Sequence, residues 1–180
     1  FPSKTFPNHY AIATGIYVFI MLMTASLTEA MPRATELVVF KVLAPLALFW
    51  SPPVNKPSGK YGGSLENRMR FGIEVLEACR EAVGDDYLLM LDSSGMYDYP
   101  QAMMVRAAIE EMNYYWFEDP LPFEDIYGYT KLRPKLDIPL MATEASPGAF
   151  HSYTDWIVRQ ATDYLRGDVA IKGGLTSLLK

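Results

Sequence analysis

The chain has 180 residues, of which half are hydrophobic, 13% aromatic and 21% charged, a composition that excludes intrinsic disorder and can supply a sizeable core. A formal net charge of −5, with no basic stripe or aromatic-interleaved basic patch, excludes nucleic acid as the natural partner. The single cysteine, Cys79, has no internal disulfide partner, which fits a reducing, cytoplasmic compartment.

Residues 1–17 read FPSKTFPNHYAIATGIY and resemble a motif of the nucleotide pyrophosphatase/phosphodiesterase family, in which a threonine within KTFPNHY is the nucleophile beside two zinc ions. The resemblance implies that role for Thr5. No set of Asp and His ligands comes after it at family-like spacing, and a threonine hydroxyl without its metals is a weak nucleophile. The stretch is therefore read as a polar lead-in to a hydrophobic helix or strand. From Tyr10 to Leu27 the chain is free of Asp, Glu, Lys and Arg and just long enough to raise a membrane span. Gly15 and the Thr/Ser positions weaken that reading, and a second apolar run, ELVVFKVLAPLALFW, comes too soon for two spans, so buried core is preferred. Within that run VVFKVL predicts a strand carrying Lys41, and Pro45 interrupts its continuation. Residues 1–50 are set apart as a hydrophobic N-terminal segment.

Residues 51–71 are dense in Pro, Gly and Ser and predict a long loop entering a helix. FWSPPVNK with YGGSLENRMRFGIEVLEACREAVG resembles the loop and helix of old yellow enzyme type flavin oxidoreductases, themselves (β/α)₈ barrels, and implies FMN and reductase chemistry. That family's substrate-binding His and Asn pair does not precede the segment, so the likeness is read as scaffold. Ser64 is placed to cap the helix and Gly84 to stop it, with Leu65, Met69, Ile73, Leu76 and Val83 as its apolar stripe. Arg68, Arg70 and Arg80 are expected on a solvated face, and Cys79 in the core.

Beyond Asp85 the units become regular. LLML leads to Asp92, YYWF to Glu118 and PLMAT to Glu144, the three acids lying 26 residues apart. Helical patterns fill the intervals: Asp98 caps a helix with Ala102, Val105, Ile109 and Met112 on one face, and a shorter helix around Ile126, Tyr129 and Leu132 ends near Pro134. A third runs through Trp156, Ile157 and Ala161, and DVAIK is expected as the fourth strand before Gly173 and Gly174. A repeat of this length, with strand, loop, helix and loop in each unit, predicts a (β/α) barrel that brings one residue per strand to a shared rim. Three carboxylates meeting there need a cation, because mutual repulsion would otherwise force protonation, and Mg²⁺ suits an all-oxygen set. Taken singly, each acid also fits a helix cap or a loop position; the equal spacing at strand ends favours the metal. Asp119, Glu124 and Asp125 are expected to cap or solvate the short helix, and His151 to cap or pack.

In their order LMLD, WFEDPLP, PLMATE and DVAIKGGLT resemble the C-terminal barrel of the enolase superfamily, mandelate racemase/muconate lactonizing branch, over residues 72–180. The resemblance implies Asp92, Glu118 and Glu144 as Mg²⁺ ligands and Asp168 as the aspartate that pairs with a catalytic histidine on the next strand. It also implies a lysine base on the second strand, for which Lys41 is the candidate, with Lys56 and Lys60 nearer in sequence but inside the Pro/Gly-rich loop. Ser94 stands where many members carry asparagine. The expected fold class is α/β, a partial (β/α)₈ TIM barrel over residues 51–180, incomplete or chimeric because a full barrel needs about 250 residues. The implied reaction is abstraction of a proton next to a carboxylate, with a sugar acid as substrate and dehydration, or racemisation, as outcome. A competing expectation is a scaffold that catalyses nothing, whose open strand edges favour pairing with a second copy.

Overall fold

The computed structural model describes residues 36–39 and 60–179, which fall into two compact units. The expected boundary at residue 50, the apolar run Tyr10–Leu27, Thr5, Lys41 and Lys56 lie outside the described residues. Strand β1 spans Glu36–Val39, overlapping the start of the expected VVFKVL strand.

In the first unit helix α1 covers Leu65–Val83. Ser64 Oγ accepts from the Asn67 amide at 3.3 Å, and Gly84, at φ 79°, closes the C-terminal end by donating to Arg80 O at 2.9 Å, a conformation that costs glycine no Cβ clash. Met69, Phe71, Val75, Leu76 and Cys79 are buried, whereas Leu65, Ile73 and Val83 of the expected stripe are half-buried. Arg80 corrects the expectation of a solvated face: it is buried, and its guanidinium donates to Gly84 O at 2.7 Å and Tyr87 O at 2.8 Å, satisfying carbonyls beyond the helix end.

The second unit carries the strands that matter for function. β2 (Leu88–Asp92, the second unit taking it up at Leu89), β3 (Phe117–Glu118), β4 (Leu140–Ala142) and β5 (Tyr164–Leu165) run parallel in sheet order β1-β2-β3-β4-β5. The register pairs Leu91 with Phe117 and Asp92 with Glu118, then Phe117 with Leu140, then Met141 with Tyr164. Leu89, Met90, Leu91, Phe117 and Leu140 are fully buried, the continuous apolar pattern of strands covered on both faces.

The intervening helices start where short-range chemistry requires. α2 (Tyr99–Glu111) opens on a capping box: Asp98 accepts from the Gln101 amide, and the Gln101 side chain accepts from the Asp98 amide, both at 2.9 Å. Its Ala102, Val105 and Ile109 are buried as their spacing requires. α3 (Ile126–Leu132) begins at Asp125, whose Oδ1 accepts from the Gly128 amide at 2.9 Å. A Cβ on Gly128 would lie 2.2 Å from the same carboxylate, so the cap itself demands glycine. α4 (Tyr153–Val158) contributes Trp156, whose ring meets Tyr129 edge-on at 4.8 Å, and the buried Tyr129 hydroxyl donates to Leu121 O at 2.7 Å. α5 (Leu175–Leu178) closes the described chain.

The fourth strand differs from expectation. DVAIK is a turn, with the Ile171 and Lys172 amides donating to Asp168 O at 3.1 and 2.8 Å. The strand is the pair Tyr164–Leu165 ahead of it, held against β4 by the Asp163 and Arg166 amides donating to Leu140 O and Ala142 O. No helix among the described residues is long and apolar enough to cross a membrane.

Candidate metal centre

Parallel strands all end on one side of the sheet, so a residue at each C-terminal end faces the same space. Asp92 ends β2, Glu118 ends β3 and Glu144 comes two residues after β4. One carboxylate oxygen from each lies within 4.8 Å of the others. Asp92, Glu118 and Glu144 form an all-oxygen, negatively charged set of the kind that would hold a hard divalent cation such as Mg²⁺. Asp92 and Glu118 are buried, and Glu144 is partly open at 25% exposure, which leaves one side accessible to solvent.

Neighbouring groups hold the acids in place. Ser94 donates to Asp92 Oδ1 from its amide at 3.0 Å and its hydroxyl at 3.3 Å. Trp116 Nε1 donates to Glu118 Oε2 at 3.2 Å. Just past three strand ends the chain takes positive φ at non-glycine residues: Ser94 at 49°, Asp119 at 39° and Thr143 at 89°. For β-branched Thr143 this is a strained backbone, fixed by its amide donating to Asp119 Oδ1 at 3.1 Å and its hydroxyl donating to Arg166 O at 2.7 Å.

Two residues that the sequence did not assign to the site prove to belong here. Asp119, expected to cap or solvate the short helix, is buried between β3 and β4, and its Oδ2 has no hydrogen-bond partner among the described residues. Burial, with the nearby Asp92 charge, pushes its carboxyl up to about 7. Arg166 comes directly after β5, at the rim position that sequence assigned to Asp168. Its Nη1 hydrogen-bonds Glu118 Oε1 and lies 3.7 Å from Asp92 Oδ2, while Nη2 is 3.0 Å from Glu144 Oε1. The available signal was the short apolar run YL ahead of Arg166, the counterpart of the runs before Asp92 and Glu118.

Lys172 was also missed. It is fully buried, its ammonium donating to Ser146 O, to Ser146 Oγ at 2.8 Å and to Gly148 O at 3.4 Å. Burial lowers its pKa, partly offset by the Asp119 carboxylate. Asp168 is half-buried, with its Oδ1 accepting from the Ala170 amide at 2.6 Å inside its own turn. Lys60 pairs with Glu74 at 3.3 Å in the first unit, and His151 is exposed on a 3₁₀ turn, Phe150–Ser152.

A parallel α/β array that delivers three acids from successive strand ends to one point is the architecture of barrel enzymes with an oxygen-ligand metal site. Residues 56–180 match the model of the enolase C-terminal domain-like family, and the chain belongs to that family. It is 34% identical over 108 residues to L-talarate/galactarate dehydratase of Salmonella typhimurium, covering 60% of this chain and 27% of that protein. The crystal structure of L-talarate dehydratase from Polaromonas sp. JS666 complexed with Mg and L-glucarate superposes with a TM-score of 0.57 at 31% identity, covering 61% of this chain and 30% of that one. A shorter likeness, 53% over 55 residues, relates 31% of this chain to 8% of N,N-dimethylglycine/sarcosine dehydrogenase of Chromohalobacter salexigens. The chain thus spans less than a third of the length of each of these proteins.

Proposed function

We propose that Asp92, Glu118 and Glu144 hold Mg²⁺ and that the chain carries this site for abstraction of a proton α to the carboxylate of a sugar acid, with dehydration as the outcome. The convergence of the three carboxylates within 4.8 Å carries the reading, supported by the dehydratases that the chain resembles. A divalent cation bound there supplies positive charge facing the substrate oxygens that become negative as the α-proton leaves. The protein's part is to hold the acids still. Ser94 fixes Asp92, Trp116 fixes Glu118, and the buried strand ends keep water from two of the three carboxylates. On the same reading Lys41 is the candidate base, and Asp168 is the carboxylate that would orient a catalytic histidine. Work in the cytoplasm fits Cys79, buried as a free thiol.

The test is α-proton exchange in D₂O, monitored by NMR across a panel of sugar acids with Mg²⁺ or Mn²⁺ present. Exchange that depends on the metal supports the proposal. A second reading, a non-catalytic chimeric scaffold, is favoured by the short, strong likeness to a dehydrogenase. It predicts metal binding without exchange. A flavin-dependent reductase would instead carry FMN and its yellow colour through purification.

A further inference from the structure

Arg166 places a fixed positive charge where the three acids meet. Its guanidinium reaches all three, bonding Glu118, meeting Glu144 at 3.0 Å and standing 3.7 Å from Asp92. The backbone beneath it is tied down: the Arg166 amide donates to Ala142 O at 2.9 Å and to Thr143 Oγ1 at 3.1 Å, and its carbonyl accepts from Tyr153 at 2.9 Å. The side chain is 31% exposed against 1% for Asp92 and Glu118, so the charge approaches buried carboxylates from the solvent side and has room to withdraw. Its satisfaction of the acids is incomplete, because Asp92 Oδ2 is buried without a hydrogen bond among the described residues.

We infer that Arg166 is a built-in counter-cation that competes with the divalent metal for Asp92, Glu118 and Glu144, a reading that rests on the metal site proposed above. An oxygen that bonds a guanidinium through the lone pair facing the site cannot offer that lone pair to a metal, and two cations at this separation repel strongly where water is excluded. Metal binding therefore requires the guanidinium to leave. Arg166 keeps the metal-free acids paired and sets the threshold of divalent concentration at which the site loads. Asp92 and Glu118 end β2 and β3 and Glu144 comes two residues after β4, whereas the residue that comes directly after β5 is Arg166, which makes β5 the strand that controls loading and not one that donates a ligand.

The experiment compares wild type with Arg166→Gln and Arg166→Lys in the full chain. Isothermal titration with MnCl₂ and MgCl₂ gives the affinities, and melting in EDTA gives the metal-free stability. Arg166→Gln is expected to bind Mn²⁺ about tenfold more tightly, which corresponds to about 1.4 kcal/mol, and to melt at lower temperature in EDTA. Arg166→Lys, which keeps the charge without the fork, should fall between. A third measurement needs no variant: the arginine side-chain ¹⁵N–¹H signals of wild type should show one guanidinium moving toward the free-arginine position as Mg²⁺ is added. Equal or weaker Mn²⁺ binding by Arg166→Gln, or arginine signals that ignore Mg²⁺ while it binds, would overturn the inference and leave the metal site standing. No divalent binding by any of the three proteins would remove the metal site and the competition together.

Discussion

Asp119→Asn isolates the electrostatic cost of burying a fourth carboxylate beside the three acids. Asp119 is 1% exposed, and its Oδ1 accepts from the Thr143 amide, a bond that the amide oxygen of an asparagine keeps. Its carboxyl is raised from 3.8 to about 7, first by burial and then by the Asp92 charge. Because the folded value lies above the unfolded one, the charged form is disfavoured in the fold. The penalty is absent below pH 4, grows as pH rises through the interval, and is complete above pH 7. A shift of roughly three units corresponds to about 4 kcal/mol as an upper figure, since one unit is about 1.4 kcal/mol. The assay is urea unfolding of wild type and Asp119→Asn in EDTA at pH 4.5, 6 and 8. The variant is expected to match wild type within about 1 kcal/mol at pH 4.5 and to exceed it by roughly 2–4 kcal/mol at pH 8. The difference between the two proteins reports the Asp119 charge together with its repulsion by Asp92 and Glu144. A gap that does not change with pH, or a less stable variant at pH 8, refutes the reasoning.

Glu118→Gln removes one of three charged ligands while keeping the acceptor for Trp116, and should weaken Mn²⁺ binding on the order of 100-fold or more by calorimetric titration. Affinity equal to wild type would exclude Glu118 from the site. Tyr129→Phe deletes a buried hydroxyl that donates to Leu121 O and accepts from the Leu121 amide, leaving both unpartnered, and should cost about 1–3 kcal/mol in urea unfolding. Cys79 is buried, and burial pushes its thiol up to about 12, so a disulfide reagent at pH 8 should label it only as fast as the chain opens, with the rate rising steeply in denaturant.

Much of this arrangement was legible from local chemistry. Asp98, Asp125, Ser64 and Gly84 mark helix ends because a cap acts over three or four residues, and all of these do so in the fold. The 26-residue repeat of acids after apolar runs located the ends of β2 and β3 and a position two residues past β4, since burial on both faces writes itself as an unbroken run. Arg80 was misjudged because a helical wheel assigns faces but does not see the carbonyls of Gly84 and Tyr87 beyond the helix end. Residues 1–35 and 40–59, with Thr5, Lys41 and Lys56, lie outside the described residues.

The sequence by itself determined which residue types stand at the strand ends, hence an acidic site suited to a hard divalent cation. Only the tertiary structure decided what else enters it. β5 is the exposed pair Tyr164–Leu165, without the buried apolar run that marks β2, and its position is set by pairing Met141 with Tyr164 and Ala142 with Leu165. That pairing ends the strand ahead of Arg166, so the rim receives a guanidinium, and Asp168 is left in the turn beyond. Asp119 likewise comes after Glu118 with no mark of its own, and the approach of Thr143 across the strands makes it a buried acid. Short-range signals fix where the chain turns; contacts between strands fix which charges meet.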